Sequence, residues 1–578
     1  MHFIKKERKM RRVCIMYTIN SSDKGRFEMS ILQPKICATL KDYSLQQFIK
    51  DIISGMIVAI IALPLSIALA IASGVTPEKG LYTAIVAGFF ISLLGGSRVQ
   101  IGGPTGAFMV IVYGIVMTYG IEGLTIATIL AGLIMILLGL MRFGSIIKFI
   151  PYPITTGFTS GIALTIFTSQ INDFFGLGIQ SVPVEFIAKW QVYASHWSDF
   201  NGEASLVGML SLIVMMLWPK VNKKIPGALI ALIISSIAVK TLELDVATIG
   251  SKFGTISSHL PTFSMPHISL SQVTLLIGPA FTIAVLGSIE SLLSAVVSDG
   301  MIGGKHRSNM ELIAQGVANI MSACFGGIPA TGAIARTVAN VKNGGRTPVA
   351  GIVHAMTLMI ILVVMMPLAK RIPLTALAAV LMMVAYNMSE WREFKALLKS
   401  PKSDILILLM TFSITVLIDL VKAIEIGMVL AAFLFMKRMA DVTEVNIDQF
   451  DASEESEDVN EELLLQEPLR HLGIRVYEIN GPFFFGAADK FLSALKEMGE
   501  ETAVLIIRMR HVPSMDATAL HAFSIMIDMC KRQHTKIVIS GIQSQPKQVL
   551  MKSEVCGPSG MMHFCETISE AIELAKLI

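Results

Sequence analysis

Apolar residues run in long stretches from about position 52 to position 435, separated by short polar segments. Fourteen of these stretches are long enough to span a bilayer, or to half-span it as broken helices. They lie near 52–72, 81–95, 103–118, 121–141, 155–171, 205–218, 226–240, 271–297, 309–325, 331–340, 348–368, 372–386, 402–418 and 421–436. After Arg438 the pattern changes. Positions 441–467 hold 11 acidic residues and no basic one, a run that repels itself and stays solvated. From about Leu472, short apolar strands (474–479, 504–509, 536–540) alternate with amphipathic helices (487–498, 516–532, 545–551, 566–577), which predicts a soluble α/β domain. The expected organisation is a basic segment 1–50, a transmembrane domain 51–438, an acidic linker 439–470 and an α/β domain 471–578.

The third and tenth stretches are interrupted by related motifs, Gly103-Pro104-Thr105-Gly106-Ala107 and Ile328-Pro329-Ala330-Thr331-Gly332-Ala333. Their Thr-Gly-Ala triplets lie 226 positions apart, and the same offset carries Ser73-Gly74 onto Asp299-Gly300. Such motifs end one helix and restart another, leaving free backbone N–H groups at the new N-terminus. Two broken spans at matching positions of two halves point to the midplane binding site of a secondary transporter. The restarted helices make Thr105, Gly106, Ala107 and Phe108, with Ala333, Ile334, Ala335 and Arg336, the candidate substrate-binding residues. Two positive dipole ends suit a small anion, to which Thr331 and Thr337 are expected to add hydroxyl donors. Glu290, in the middle of the eighth stretch, is an intramembrane carboxylate and the candidate proton-coupling group. Arg336 either attracts the anion or balances Glu290, with a purely structural pairing role as the alternative. His354, in an apolar run, is expected to be a hydrogen-bonded packing residue.

Charge sets the expected topology. The first fifty residues hold 11 Lys and Arg against 4 Asp and Glu, and the loops placed on the same side carry Arg98, Arg142, Lys148, Lys220, Lys305, Arg307, Lys342 and Arg346. Both termini are therefore expected to be cytoplasmic. Lys370 and Arg371 break the rule. The longest outer loop, 172–204, has a single basic residue, Lys189. Composition agrees with a membrane protein: 53% hydrophobic, 16% charged and a mean hydropathy of +0.66. The net charge of +4 is spread over many loops, so no nucleic-acid partner is expected. The six cysteines show no ligand spacing, no phosphate-binding Gly-rich loop is present, and no nucleophile–base pair stands out. Neither a metal, a cofactor nor an enzymatic activity is expected.

The segment Thr76-Pro77-Glu78-Lys79-Gly80-Leu81-Tyr82-Thr83-Ala84, continuing through Gly95-Gly96-Ser97-Arg98 to Gly102-Gly103-Pro104-Thr105, resembles the SulP (sulfate permease) family of anion transporters. The loop Val512-Pro513-Ser514-Met515-Asp516-Ala517-Thr518-Ala519-Leu520 resembles the signature loop of the STAS domain that follows the membrane domain in that family. Asp516 reads as a helix N-cap, and Thr518 occupies the hydroxyl position that regulatory STAS domains phosphorylate; Ala517 and Ala519 replace the Ser and Gly of that loop, so an ordinary first-turn residue is the leading alternative for Thr518. The two are the candidate regulatory residues, and a cytosolic partner of the domain is the matching expectation. Leu63-Pro64-Leu65-Ser66-Ile67-Ala68-Leu69-Ala70 and Val384-Ala385-Tyr386-Asn387-Met388-Ser389-Glu390 are similar to the bacterial C4-dicarboxylic acid uptake branch. The resemblance implies a polytopic α-helical membrane protein of 14 spans, arranged as a 7+7 inverted repeat with core and gate domains. It also implies a homodimer in the bacterial inner membrane that moves a small inorganic or dicarboxylate anion. Plant and animal sulfate carriers have Gln where this chain has Leu65, so Leu65 joins the candidate substrate-binding residues and sulfate specificity does not carry over. Sodium-coupled bicarbonate relatives have Asp at the Glu290 position and a hydroxyl where Ile334 stands, which favours proton symport here. Sulfate, bicarbonate, a channel and a sensor on the same scaffold remain open alternatives.

Overall fold

The computed structural model describes residues 32–40, 43–145, 150–222, 225–254, 257–267, 269–418, 420–447, 469, 471–496, 502–553 and 562–578. Most of the acidic run, and most of the basic N-terminal segment, lie outside the described residues. The chain divides into two compact units, one through Met428 and the other from Val429.

The first unit is helical. In chain order it contains α1 (Leu45–Ala72), α2 (Pro77–Leu94), β1 (Gly102–Gly103), α3 (Gly106–Leu140), α4 (Tyr152–Ser169), α5 (Gly202–Val221) and α6 (Gly227–Thr241). There follow α7 (Leu270–Ile302), α8 (Ser308–Cys324), β2 (Thr331–Gly332), α9 (Ile334–Lys342), α10 (Val349–Ala369), α11 (Leu374–Met388) and α12 (Lys402–Leu417). The last helix, α13 (Leu420–Val442), contains the boundary between the units. A helix underlies each of the fourteen apolar stretches. Among the described residues, five helices are long and apolar enough to cross a membrane unaided. The range given to α3 covers two helical segments that meet at a kink at Gly120 (φ 70°, ψ −174°), between the two stretches expected as separate spans. A left-handed backbone of this kind is available to glycine without a Cβ clash.

Local chemistry sets several boundaries. Ser44 accepts a hydrogen bond from the Gln47 amide and starts α1, while Ser269 and Gln272 form a reciprocal capping box before α7. Pro77 opens α2 at a position whose missing N–H costs nothing. Helices α3 and α8 approach through Gly132 and Gly316: a Cβ on either would run into the other's carbonyl oxygen. Two breaks in helical geometry are held by buried polar side chains. Asn319 bonds both the N–H and the carbonyl of Ala330 at 2.8 Å, and Glu311 accepts from the Gly96 and Ser97 amides at 2.8 and 3.0 Å. Irregular backbone inside a membrane protein needs such internal partners.

The second unit contains a five-stranded sheet in the order β3 (Glu444–Ile447), β4 (Ile474–Asn480), β5 (Val504–His511), β6 (Lys536–Ser540) and β7 (Met562–Cys565). The β3–β4 pair is antiparallel and the others are parallel. Along β5, Leu505, Ile507 and Met509 face one apolar cluster, which includes residues of α14 (Phe485–Lys496), α15 (Ala517–Arg532) and α16 (Ser544–Lys552). Val504 and Ile506 face the other, against α17 (Ile568–Leu577). Burial on both faces explains why this strand reads as continuously apolar. Strands β3 and β7 were absent from the sequence expectation; β3 lies in a stretch assigned to the linker because its composition is acidic.

Candidate functional site

The two interrupted spans meet. β1 and β2 pair antiparallel, with Gly102 opposite Gly332 and Gly103 opposite Thr331. The Ala333 amide adds a bond to the Ile101 carbonyl at 2.9 Å. From this crossing α3 starts at Gly106 and α9 at Ile334, so residues 229 positions apart in sequence (103 and 332) lie in adjoining registers of one two-stranded element. Neither helix start carries a side-chain cap: Thr105 and Ala333 are the N-cap residues, and neither accepts a bond from the first turn. Uncapped N–H groups and aligned peptide dipoles are therefore present at both ends.

Thr105 turns its hydroxyl elsewhere. It donates to Glu290 Oε2 at 2.9 Å, tying the N-cap of α3 to the middle of α7. Glu290 is partly exposed although it lies well inside a 33-residue helix, as a carboxylate facing a polar cavity would be. Arg336 is 1% exposed and reaches across the crossing. Its Nη2 donates to the Pro104 carbonyl at 2.9 Å and to Ser66 Oγ of α1 at 3.3 Å. Nε and Nη1 of Arg336 are buried without an acceptor among the described residues. A guanidinium holding spare donors in a buried site is matched by an oxyanion. Gly103, at φ 153°, lies against Arg336 Nη1, and a Cβ there would strike the guanidinium.

The candidate residues are distributed around this crossing. Gly106, Ala107 and Phe108 are buried in the first turn of α3, and Ala333 is buried at the start of α9. Ile334 and Ala335 are exposed, on the same stripe of α9 as exposed Lys342. Leu65 is half-buried on α1, beside the Ser66 that receives Arg336.

Three expectations need correction. Of the two hydroxyls expected to face the anion, that of Thr331 donates within the fold and that of Thr337 is held there as an acceptor. Thr331 donates to the Gly287 carbonyl at 3.0 Å, and the Thr337 oxygen accepts from the Ile101 amide at 3.1 Å and from Ser294 at 3.3 Å. Both hydroxyls hold loop backbone and neighbouring helix in place. The matching Thr-Gly-Ala letters also occupy unequal positions: Thr105 caps a helix whereas Thr331 lies in a strand, because the second break restarts two residues later. His354 is fully buried, but neither ring nitrogen has a partner.

Sequence reasoning missed Ser66, Asn319 and Asn340. Asn340 donates to the Val99 carbonyl at 2.8 Å and accepts from Ser54 at 2.7 Å. Their signal was a polar residue inside an apolar or amphipathic stretch. In the α/β unit, Asp516 is the N-cap of α15 as expected: Oδ1 accepts from the Ala519 amide at 2.8 Å and Oδ2 from the Phe485 amide at 3.2 Å. Thr518 is exposed in the first turn.

Residues 48–411 match the family model described as the sulfate permease family, and residues 467–571 match the STAS domain. A Bacillus subtilis protein named as a candidate sulfate transporter, YvdB, is 43% identical over 91% of this chain and 97% of its own length. The bicarbonate transporter BicA of Synechocystis is 31% identical over 87% of this chain and 90% of its own. Among solved structures, the transmembrane domain of a cyanobacterial BicA is 29% identical and superposes with a TM-score of 0.59, covering 67% of this chain and 98% of that one. Murine Slc26a9, described as an anion transporter in the inward-facing state, gives 0.84 at 18% identity, covering 97% of this chain and 96% of that one, a likeness of fold.

Proposed function

Because the chain belongs to the sulfate permease family, whose members are membrane anion transporters rather than enzymes, we propose that it is a secondary active carrier of a small oxyanion, a C4-dicarboxylate such as succinate or fumarate, or sulfate. One observation carries this reading: two uncapped helix N-termini are brought together by β1–β2 beside a buried arginine with two unused donors. Each dipole end contributes up to ~2 kcal/mol toward a partly buried anion. Leu65, where sulfate carriers have an amide, leaves an apolar wall that suits the methylenes of a dicarboxylate.

Proton symport follows from Glu290. Its only hydrogen bond among the described residues comes from Thr105, at the mouth of the same site. A carboxylate bonded to a substrate-site N-cap can take a proton when the anion arrives and release it when the anion leaves. The exposed stripe Ile334, Ala335 and Lys342 gives the anion a route along α9 toward the side of the basic loops. Alternating access would close that route and open the other. The positive-inside bias supports cytoplasmic termini, and a bacterial inner membrane is the location that goes with this reading. A homodimer and a cytosolic partner at the STAS loop of Asp516 and Thr518 complete the proposal. Bicarbonate is the second reading, favoured by the likeness to BicA.

The test is uptake into proteoliposomes of radiolabelled succinate, fumarate, sulfate and bicarbonate, with and without an imposed pH gradient. Saturable accumulation driven by an alkaline interior, and lost in Glu290→Gln while anion exchange persists, is expected. Unchanged accumulation by Glu290→Gln would refute proton coupling, and a large unsaturable conductance would refute a carrier.

A further inference from the structure

A cavity of about 290 Å³ with a mixed polar and apolar lining lies in the membrane unit at the C-terminal end of α1. Its lining includes Met109 and Tyr113 of α3, Gln170 and Asp173 beyond the end of α4, and Lys189 and Lys252 from the short helices Phe186–Ser195 and Ile249–Phe253. Met109 is three residues past Gly106, so the cavity reaches within about 4.5 Å of helix rise from the start of α3. Its wall is built rather than loose. The Tyr113 hydroxyl donates to the Val182 carbonyl at 2.8 Å, and Asn172 exchanges two 3.1 Å bonds with the backbone of Ile179.

Lys189 is the unexplained group. It is 5% exposed, on a short helix Phe186–Ser195, and among the described residues its ammonium has neither a hydrogen-bond acceptor nor a carboxylate partner. Asp173 is already paired with Lys252 at 3.6 Å. The side chain is thus buried along its length, and its ammonium reaches the cavity without a counter-ion among the described residues. A lysine kept in such a place without a counter-ion is explained when the counter-ion is a ligand.

We propose that this cavity is an outer loading site in which the Lys189 ammonium holds a sulfate or carboxylate group one helical turn before the α3 N-terminus. The inference rests on the carrier reading, which supplies the anion, and on the charge-derived topology, which makes this the outer face. It adds a station that the paired helix ends do not include. Burial pushes Lys189 down to about 8, so its charge is present at neutral pH and lost as the external pH rises past 8. Asp173, Lys252, Tyr113 and Tyr193 are the other charged or titratable groups around it. Burial, then Asp173 and Tyr113, raise Tyr193, which stays neutral over this range.

The experiment is initial-rate uptake of radiolabelled sulfate and succinate by the full chain in proteoliposomes, with external pH varied. Lys189→Gln should raise the external KM at least five-fold with the maximal rate within two-fold, and Lys189→Arg should restore it. The wild-type KM should rise between pH 7 and 9, and that of Lys189→Arg should stay flat. A KM that is equal in wild type and Lys189→Gln at every pH overturns the loading site and leaves the carrier standing. If wild type takes up neither anion, the sulfate and dicarboxylate carrier reading fails. Equilibrium binding of labelled sulfate to the solubilised protein then decides the cavity alone, and binding unaffected by Lys189→Gln overturns it.

Discussion

Arg336→Gln separates a ligand-binding role from a structural one, because the two predict opposite results. The side chain makes one good bond, Nη2 to the Pro104 carbonyl at 2.9 Å, and a longer one to Ser66 at 3.3 Å. Losing a hydrogen bond from a charged donor costs ~1.5–3 kcal/mol. Against that, the substitution removes two buried nitrogens without acceptors among the described residues, each carrying a desolvation penalty of ~1–3 kcal/mol. The two effects nearly offset, so the melting temperature of the solubilised protein should change by only a few degrees. Transport should not be spared. An anion ~6 Å from the guanidinium, at an effective dielectric constant of ~20, loses about 2.8 kcal/mol of attraction. That corresponds to a roughly hundredfold weaker affinity. The assay is initial uptake rate against anion concentration, paired with thermal unfolding of the same preparation. A marked fall in melting temperature with an unchanged KM would show that Arg336 only staples α1 to the crossing, and would refute the reasoning.

Three further outcomes are expected. Gly103→Ala puts a Cβ into the Arg336 guanidinium and a side chain onto a left-handed backbone, so uptake should fall at least tenfold while the protein still reaches the membrane; near-normal uptake would contradict the close approach. Asp516→Ala removes the acceptor for two backbone amides and should destabilise the α/β unit by ~1–2 kcal/mol, read by its unfolding midpoint in denaturant. Burial pushes the Cys530 thiol up to about 11, so at pH 8 it is overwhelmingly protonated; mass spectrometry after iodoacetamide treatment should find it unmodified until the protein is unfolded.

The legible parts of the sequence were those with local causes. Long apolar stretches located the helices of the membrane unit, and Pro104 and Pro329 marked both breaks. Asp516, followed by an amphipathic stretch, announced its cap. The short, continuously apolar runs of β5 and β6 located the sheet. What escaped were pairings between distant positions. Nothing local in Gly102-Gly103 says that it will pair with Thr331-Gly332, or that Asn319 will hold Ala330. Hydroxyls were over-read for the same reason: Thr331 and Thr337 look free in sequence, yet their partners, Gly287 and Ile101, come from other segments. Strand β3 was hidden by acidic composition, because its stability comes from antiparallel pairing with β4 rather than from its own residues.

The most direct test of the paired-helix site is a diffraction experiment with an oxyanion that carries its own anomalous signal, selenate for sulfate and bromosuccinate for the dicarboxylate. A peak within hydrogen-bond reach of the first-turn amides of α3 and α9, and close to the free face of Arg336, is the predicted result. Uptake-competent protein that shows no peak there, or a peak confined to another part of the membrane unit, would contradict it.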